Sequence, residues 1–545
     1  MVKQTKVFIE PPSPKLQDAY RILFNEEIKS FLYELFTEFE KDINELYRQR
    51  AIRRKETNAG TYNLQFRNSP QAADVKWRVA PVPKRLVNRR LDLGDVSPTS
   101  LVHFSSALNA DVQGIQVDFD DGHCPTWHNQ ITGLLNVYKA VHNQLPNVPT
   151  ICKAPILMLR PRAWNMLETH VWIDNKQIPG PIFDFALLMY HNAKILFEKE
   201  CGPFFYLSKM EGSNEARLWN GIFTWAQKKL NLPYGTIKAC VLIENILSSF
   251  EMNEILYELR DHSLGLNCGI WDYAASVISK FGHNPKYCLP DRNKYVNMNR
   301  HFLKRYLQLV VRVCHFRGAH ATGGMYAQIL PDVGDKTETF YGIQKALKAK
   351  HTEIIEGIDG FMVYDIRLVP YVNEMWVAEC GTNPNQISQK PSFLKIEESD
   401  LLKMPDGGVT MDGLIHNIRV GILFILNWLN GVGHFIYLGS VEDSATAEIS
   451  RSQVWQWIKH NSAIEEMDQT VTLSLVTKLT YDFIAIKEAE STCNIFKKRV
   501  QDAAAIFLEI VSMDNFPEFI TSYLNEHPVF KTYHDTGVST IKHKL

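Results

Sequence analysis

Two acidic residues raise the question of chemistry first. Glu244, in VLIENI, and Asp272, in CGIWDY, each stand where a short apolar run stops, and the two runs follow one another along the chain. A hard divalent cation such as Mg2+ binds through one or two carboxylates and keeps its other positions for substrate oxygens and water. A pair of strand-end acids is a donor set of that kind, while the ordinary alternative for each acid is an ion pair or a helix cap. Arg160, in MLRPR, ends another such run. Its fixed cation could stabilise an oxyanion developing on a polarised carbonyl, or it could pair with Asp118, Asp120 and Asp121 of VDFDDG. Asp443, in SVEDSATAEIS, reads either as the N-cap of a helix starting near Ser444 or as a general base whose pKa is raised by like-charge repulsion from Glu442. Spacing leaves both readings open.

Acids placed in this way need a scaffold that gathers strand ends. From about residue 76 to 395, short β-branched or aromatic runs alternate with polar or Gly-rich breaks and with longer stretches of helical periodicity, the texture of βα units. The pattern predicts strands at 76–83, 111–121, 154–162, 202–211, 237–245, 264–272, 318–325 and 359–367. Several are apolar at nearly every position, as parallel strands covered on both faces are. Eight such units predict an α/β fold, a (β/α)8 barrel, in which reactive groups sit at the C-terminal strand ends around one mouth. On this register those ends carry Asp118, Asp120, Asp121, Arg160, Arg162, Lys209, Glu211, Glu244 and Asp272. Helical spacing dominates 16–55 and recurs near 411–430, 447–461, 468–490, 494–513 and 515–525. The charged, Pro/Gly-containing stretch IEESDLLKMPDGG marks a boundary near 395–410.

Composition narrows the function. The chain has 545 residues, with 59 Lys plus Arg against 60 Asp plus Glu and a formal net charge of -1. Such a balance suits a soluble globular protein and argues against nucleic acid or an anionic membrane as partner. The most apolar segment, VGILFILNWL at 420–429, is shorter than the roughly 20 residues a bilayer span requires, and is expected to be a buried helix. Nine cysteines, at 124, 152, 201, 240, 268, 288, 314, 380 and 493, include no CxxC pair, which predicts a reducing compartment without structural zinc. Cys268 reads as a small buried residue, Trp455 and Trp457 as packing, and His170, His262 and His434 form no ligand pattern. The N-terminal residues lack the features of a secretory or transit sequence. The last three, His543-Lys544-Leu545, differ by one residue from the Ser-Lys-Leu peroxisomal address, so the expected location is the peroxisome, with the cytoplasm as alternative.

Several long motifs, GPIFDFALLMYHN, GPFFYLSKMEG, NLPYGTIKACVLIEN, RDHSLGLNCGIWDY and above all EDSATAEISRSQVWQWI, resemble those of malate synthase of the A type, in the same order from about residue 15 to 530. The resemblance implies an N-terminal α-helical clasp (1–75), a (β/α)8 barrel (76–400) and a C-terminal helical plug (401–545) that closes the barrel mouth. It implies condensation of acetyl-CoA with glyoxylate and water to (S)-malate and CoA, in the glyoxylate bypass, with Mg2+ as cofactor and a monomer or small homo-oligomer as assembly. It places Glu244 and Asp272 as metal ligands, Arg160 as the group that polarises the aldehyde and steadies the enolate, and Asp443 as the base. Gly269 and Ile270 fall at the substrate, and Asp120, Asp121 and Glu442 in support.

The chain departs from the family's pattern at several of these places. Ile270 replaces the arginine of CGRWDY, Asp120 and Gly122 stand in what is usually DFEDS, Asn165 ends RPRAWN in place of RPRGWH, Asp365-Ile366 replace His-Pro, and Ser440-Val441 precede Glu442 where LMED is usual. These changes spare Arg160, Glu244, Asp272 and Asp443 but touch their surroundings. Two other readings therefore stand beside malate synthase: a related Mg2+-dependent condensing or cleaving enzyme for another acyl-CoA or 2-oxo acid, and a catalytically silent scaffold.

Overall fold

The computed structural model describes residues 7–331, 336–389, 395–465, 467–515 and 517–534. The chain divides into two compact units, one of Met1–Ile52, Leu64–Gly269 and Leu307–Lys395, the other of Arg53–Asn63, Ile270–Tyr306 and Ile396–Leu545.

Eight parallel strands close into a barrel: β1 (Leu91–Val96), β2 (Gly114–Asp118), β3 (Ile156–Arg160), β4 (Phe204–Leu207), β5 (Lys238–Ile243), β6 (Ser263–Cys268), β7 (Ala321–Tyr326) and β8 (Gly360–Val363). Strands adjacent along the chain are adjacent in the sheet, and β8 returns to β1 by pairing Phe361 with Leu91. The strands are buried almost throughout because helices cover one face and the barrel interior the other. Every second residue points inward, so Ile156 and Met158 of β3, Phe204 and Tyr206 of β4, Cys240 and Leu242 of β5 and Leu264 of β6 meet in one cluster. A buried polar group sits among them: Arg89 donates to the Tyr206 hydroxyl at 2.6 Å and to Asp92 Oδ2 at 3.2 Å.

Seven of the strands overlap predicted runs. The eighth is a correction, since KWRVAPVP at 76–83 is irregular and the first strand is Leu91–Val96. Pro81 and Pro83 take two amide donors out of the first run, whereas LDLGDV hides its strand character behind two aspartates and a glycine. A further unpredicted piece lies between β3 and the helix Gly180–Glu198. There Leu167–Ile173 and Lys176–Pro179 form an antiparallel hairpin, to which Val7–Ile9 adds as a third strand.

The helix Glu26–Asn58 buries Ile28, Phe31, Leu32, Leu35, Phe36, Ile43 and Leu46, the i, i+3, i+4 stripe of an amphipathic helix. Near its end a buried Arg50 grips Glu215 through two contacts of 2.9 and 2.7 Å and donates to the Lys209 carbonyl at 2.8 Å.

In the second unit the helix Met411–Leu429 packs against Ser444–Lys459 and Asn494–Ser512. A Cβ on Gly421 would lie 2.5 Å from the Phe507 ring, so glycine permits the close approach there. The apolar 420–429 run is buried within this helix, and among the described residues no helix is long and apolar enough to cross a membrane.

Candidate active site

The ends of β2 to β5 bring together four acids and two cations. Asp118 ends β2, Asp120 and Asp121 follow it, Arg160 ends β3, Lys209 comes just after β4, and Glu244 directly follows β5. All six are buried. The Asp118 carboxylate shapes the turn, accepting from the Asp120 amide at 2.7 Å and the Gly122 amide at 3.0 Å, a local use typical of aspartate. Gly122 suits this tight turn, since a Cβ there would sit 3.3 Å from both Asp118 Oδ2 and the Asp95 carbonyl.

Arg160 donates from Nε to Ser208 Oγ at 2.7 Å and from Nη1 to Asp118 Oδ2 at 3.3 Å. Its Nη2 pairs with Asp121, lies 3.3 Å from Asp120 Oδ2 and 3.9 Å from Glu244 Oε1. The ion pairs open to Arg160 on residue type alone are thus formed. Lys209 supplies the second cation, with Nζ 2.9 Å from Asp120 Oδ2 and 2.6 Å from Asp121 Oδ1. Its amide donates to Glu244 Oε1 at 2.7 Å. It holds φ at 52°, a left-handed conformation rare for a residue with a side chain, which these contacts and Arg50 fix.

Burial raises the Glu244 carboxyl to about 7, with Lys209 and Arg160 working against the rise. Burial likewise raises Asp118 against the pull of Arg160. For Arg160, burial alone would lower the pKa, but Asp121, Asp118, Asp120 and Glu244 hold it well above its usual value. Four carboxylates against two cations leave two formal negative charges in excess in a buried space. That excess is costly unless protonated or matched by a cation, and it equals the charge of one divalent ion. Among the described residues, Asp121 and Glu244 belong to an acidic group that could hold a metal, their carboxylate oxygens lying within 4.8 Å of each other. Asp121, expected only in support, therefore stands as a candidate ligand.

Gly269, the last residue of the first unit's Leu64–Gly269 segment, lies beside Glu244. A Cβ there would lie 3.0 Å from the Glu244 Cβ and 3.1 Å from its Oε2, so glycine lets the Glu244 side chain fit.

Within the second unit, Ile270 is the first residue of the helix Ile270–Phe281, and Asp272 is buried in that helix's first turn. The Arg292 guanidinium lies over the Trp271 ring, 5.1 Å from its centroid, and 3.6 Å from Glu442 Oε2, while its Nε donates to Asn417 Oδ1 at 3.1 Å. Burial raises the Glu442 carboxyl, with Arg292 opposing. Ser440–Glu442 pairs with Phe435–Tyr437 in a short antiparallel ladder, which gives Ser440 and Val441 a structural place. Asp443 caps the helix Ser444–Lys459: its Oδ1 accepts from the Thr446 amide at 3.0 Å, and Thr446 Oγ1 accepts from the Asp443 amide at 2.9 Å. The capping reading is realised, and it uses one carboxylate oxygen.

Asp365, one of the departures, accepts from the Leu330 amide at 2.8 Å and from the Arg367 amide at 2.9 Å, capping the short helix Ile366–Leu368. It joins two loops of the barrel. Sequence reasoning overlooked Arg292 and placed Lys209 only as a strand-end residue. The signal for Lys209 was its position after an apolar run, like that of Glu244. For Arg292 we find none, since its partners at 271, 417 and 442 lie far along the chain.

Two family models match, malate synthase TIM barrel domain over residues 156–404 and malate synthase C-terminal over 408–527. Malate synthase of Dictyostelium discoideum is 38% identical over 523 residues, covering 93% of this chain and 95% of that one. That of Myxococcus xanthus is 39% identical over 453 residues, covering 82% and 83%, and the glyoxysomal enzyme of Cucumis sativus is 34% identical over 523 residues, covering 93% and 91%. With an eight-stranded barrel, an acid-rich set of strand ends and likeness along nearly the whole chain, this protein belongs to the malate synthase family of acyltransferases.

Proposed function

We propose that the chain condenses acetyl-CoA with glyoxylate and water to give (S)-malate and CoA, as a glyoxylate-cycle enzyme. The observation that carries the site assignment is the buried excess of carboxylate over cation at the strand ends, within a chain of this family. On the family resemblance we assign Mg2+ to Glu244 and Asp272, and the carboxylate of Asp121, close to that of Glu244, adds a further candidate ligand. When bound, the ion supplies Lewis acidity toward the aldehyde.

The chain's own groups do the rest. Asp443 takes a proton from the acetyl methyl carbon, a weak carbon acid that a carboxylate can deprotonate only if the enolate is stabilised as it forms. Arg160 supplies that stabilisation: Asp118, Asp120 and Asp121 orient its guanidinium and keep it charged. The enolate carbon then bonds to the aldehyde carbon of glyoxylate, and hydrolysis of the thioester releases CoA. Glu442 and Arg292 hold the strand that delivers Asp443. Gly269 and Ile270 line the turn before Asp272, and Ile270, standing where the family carries arginine, favours a second reading in which another 2-oxo acid or acyl-CoA is preferred.

Release of free thiol from acetyl-CoA with glyoxylate and Mg2+, set against propionyl-CoA and pyruvate, tests both readings. Turnover of acetyl-CoA with glyoxylate above the other pairs is expected. Preference for another pair selects the second reading, and no release from any pair defeats both.

Relatives named glyoxysomal support a peroxisomal location. His543-Lys544-Leu545, the expected signal, lie outside the described residues, and a fusion that masks Leu545 tests it. We take the assembly to be a monomer or small homo-oligomer, which light scattering decides.

A further inference from the structure

At the opposite, N-terminal ends of the barrel strands lies a second chemically distinctive group. Cys152 comes shortly before β3 and Cys201 shortly before β4, and these strands pair through Met158 and Phe204. Parallel pairing thus brings together two thiols distant in sequence. Cys201 Sγ lies 3.5 Å from the carbonyl oxygen of Ile151, whose peptide bond leads into Cys152. Arg85 ties the two segments: its Nη1 is 2.9 Å from Cys201 Sγ and 3.4 Å from the Ile151 carbonyl, and its Nη2 donates to the Ala154 carbonyl at 2.7 Å. The Cys201 sulfur thus sits against the peptide bond that leads into Cys152. Cys152 is exposed and Cys201 buried.

We propose that Cys152 and Cys201 form a redox-modification site at which a hydroperoxide joins them in a disulfide. The exposed Cys152 meets the oxidant. Its thiolate attacks the O–O bond, forming a sulfenic acid and releasing the alcohol, or water from hydrogen peroxide. The Cys201 sulfur then attacks the Cys152 sulfur, the S–S bond forms, and the hydroxyl leaves as water with the proton from Cys201. The two thiols give up two electrons and the peroxide takes them.

Each local feature suits one step. A buried thiol is shielded from bulk oxidant, so Cys201 serves as the resolving partner. Burial raises its thiol pKa and Arg85 opposes the rise, which places a fixed cation where the attacking thiolate develops. A sulfenic acid on Cys152 is then met by a neighbouring sulfur before further oxidation.

The test uses the reduced full-length protein, exposed to a small excess of hydrogen peroxide under native conditions, digested without reductant and mapped by mass spectrometry. The expected result is a Cys152–Cys201 linked peptide pair and an intact mass lower by about 2 Da, both reversed by dithiothreitol. Cys201→Ser is expected to trap Cys152 as a dimedone-reactive sulfenic acid, and Arg85→Gln to slow linkage several-fold. Accumulation of sulfinic acid on wild-type Cys152, linkage to other cysteines first, or no reaction of Cys152 would overturn the proposal. Should either variant fail to fold, mapping of the wild-type protein still decides.

Discussion

The backbone amide of Lys209 donates to Glu244 at 2.7 Å while its ammonium bridges Asp120 and Asp121 at 2.9 and 2.6 Å. One residue in a left-handed conformation therefore sets the spacing between the acids after β2 and the acid after β5. Lys209→Met keeps much of the side-chain volume but leaves those acids short of a cation. Breaking a buried pair in this way costs about 3–5 kcal/mol. The expected outcome is a lower urea midpoint in EDTA that rises more with added Mg2+ than the wild-type midpoint does. Equal Mg2+ responses would speak against an ion at these acids.

Gly269→Ala tests the fit beside Glu244. The added methyl would stand 3.0 Å from the Glu244 Cβ, so the carboxylate must shift. The contact calls for a shift of only a few tenths of an ångström, which lowers the rate by less than the roughly 100-fold of a full 1 Å misplacement, while crowding of this size costs about 1–3 kcal/mol in stability. Steady-state kinetics should show a several-fold loss of activity, larger than the shift in unfolding midpoint accounts for.

Asp443→Asn separates the observed helix cap from the proposed role as base. Asparagine caps helices as well as aspartate does, so the amide can replace Oδ1 in accepting from Thr446. It cannot take a proton from carbon. Thiol release should fall by at least about 100-fold, with an unchanged unfolding midpoint and retained Mg2+ and glyoxylate binding by calorimetry. Asp443→Ala should lose the cap as well, at about 1 kcal/mol.

His262 makes stability depend on pH. Burial, assisted by Lys238, lowers its pKa to about 4, and the ring sits between Asn220 Oδ1 at 2.8 Å and Gln227 at 3.0 Å. The folded state thus resists protonation where the unfolded chain accepts it. Stability is fully present above about 6.5 and is lost as pH falls from there through about 4, by about 3 kcal/mol in total. His416, lowered to about 4 chiefly by burial, adds a loss of the same sign. Urea unfolding at pH 7 and pH 5 should show a smaller pH difference in His262→Gln than in wild type.

The barrel was legible wherever strands are apolar on both faces. Runs such as ILMLR and KACVLI have little else to be, and the rule that barrel enzymes work from strand ends then singled out Arg160 and Glu244; Asp272, expected at a strand end, instead lies in the first turn of the helix after β6, which stops at Cys268. β1 was hidden because Asp92 is buried on Arg89 and Tyr206, partners that only tertiary structure supplies. Lys209 and Arg292 were obscure for the same reason. The acidic turn was half visible: DFDDG advertises carboxylates, but only the fold shows that Asp118 is spent on backbone amides while Asp121 stands with Glu244. For Asp443 the local spacing offered the cap as one of two readings, because capping is a short-range interaction, and the fold shows the cap formed.

Arg50 extends the account beyond the barrel. From the helix Glu26–Asn58 it reaches the carbonyl of Lys209, the residue that braces the acidic pocket. The N-terminal helix is thus a tendon of the proposed reaction centre, and a shortened protein beginning at the first barrel strand would carry every acid and still have lost the Arg50 tether on Lys209.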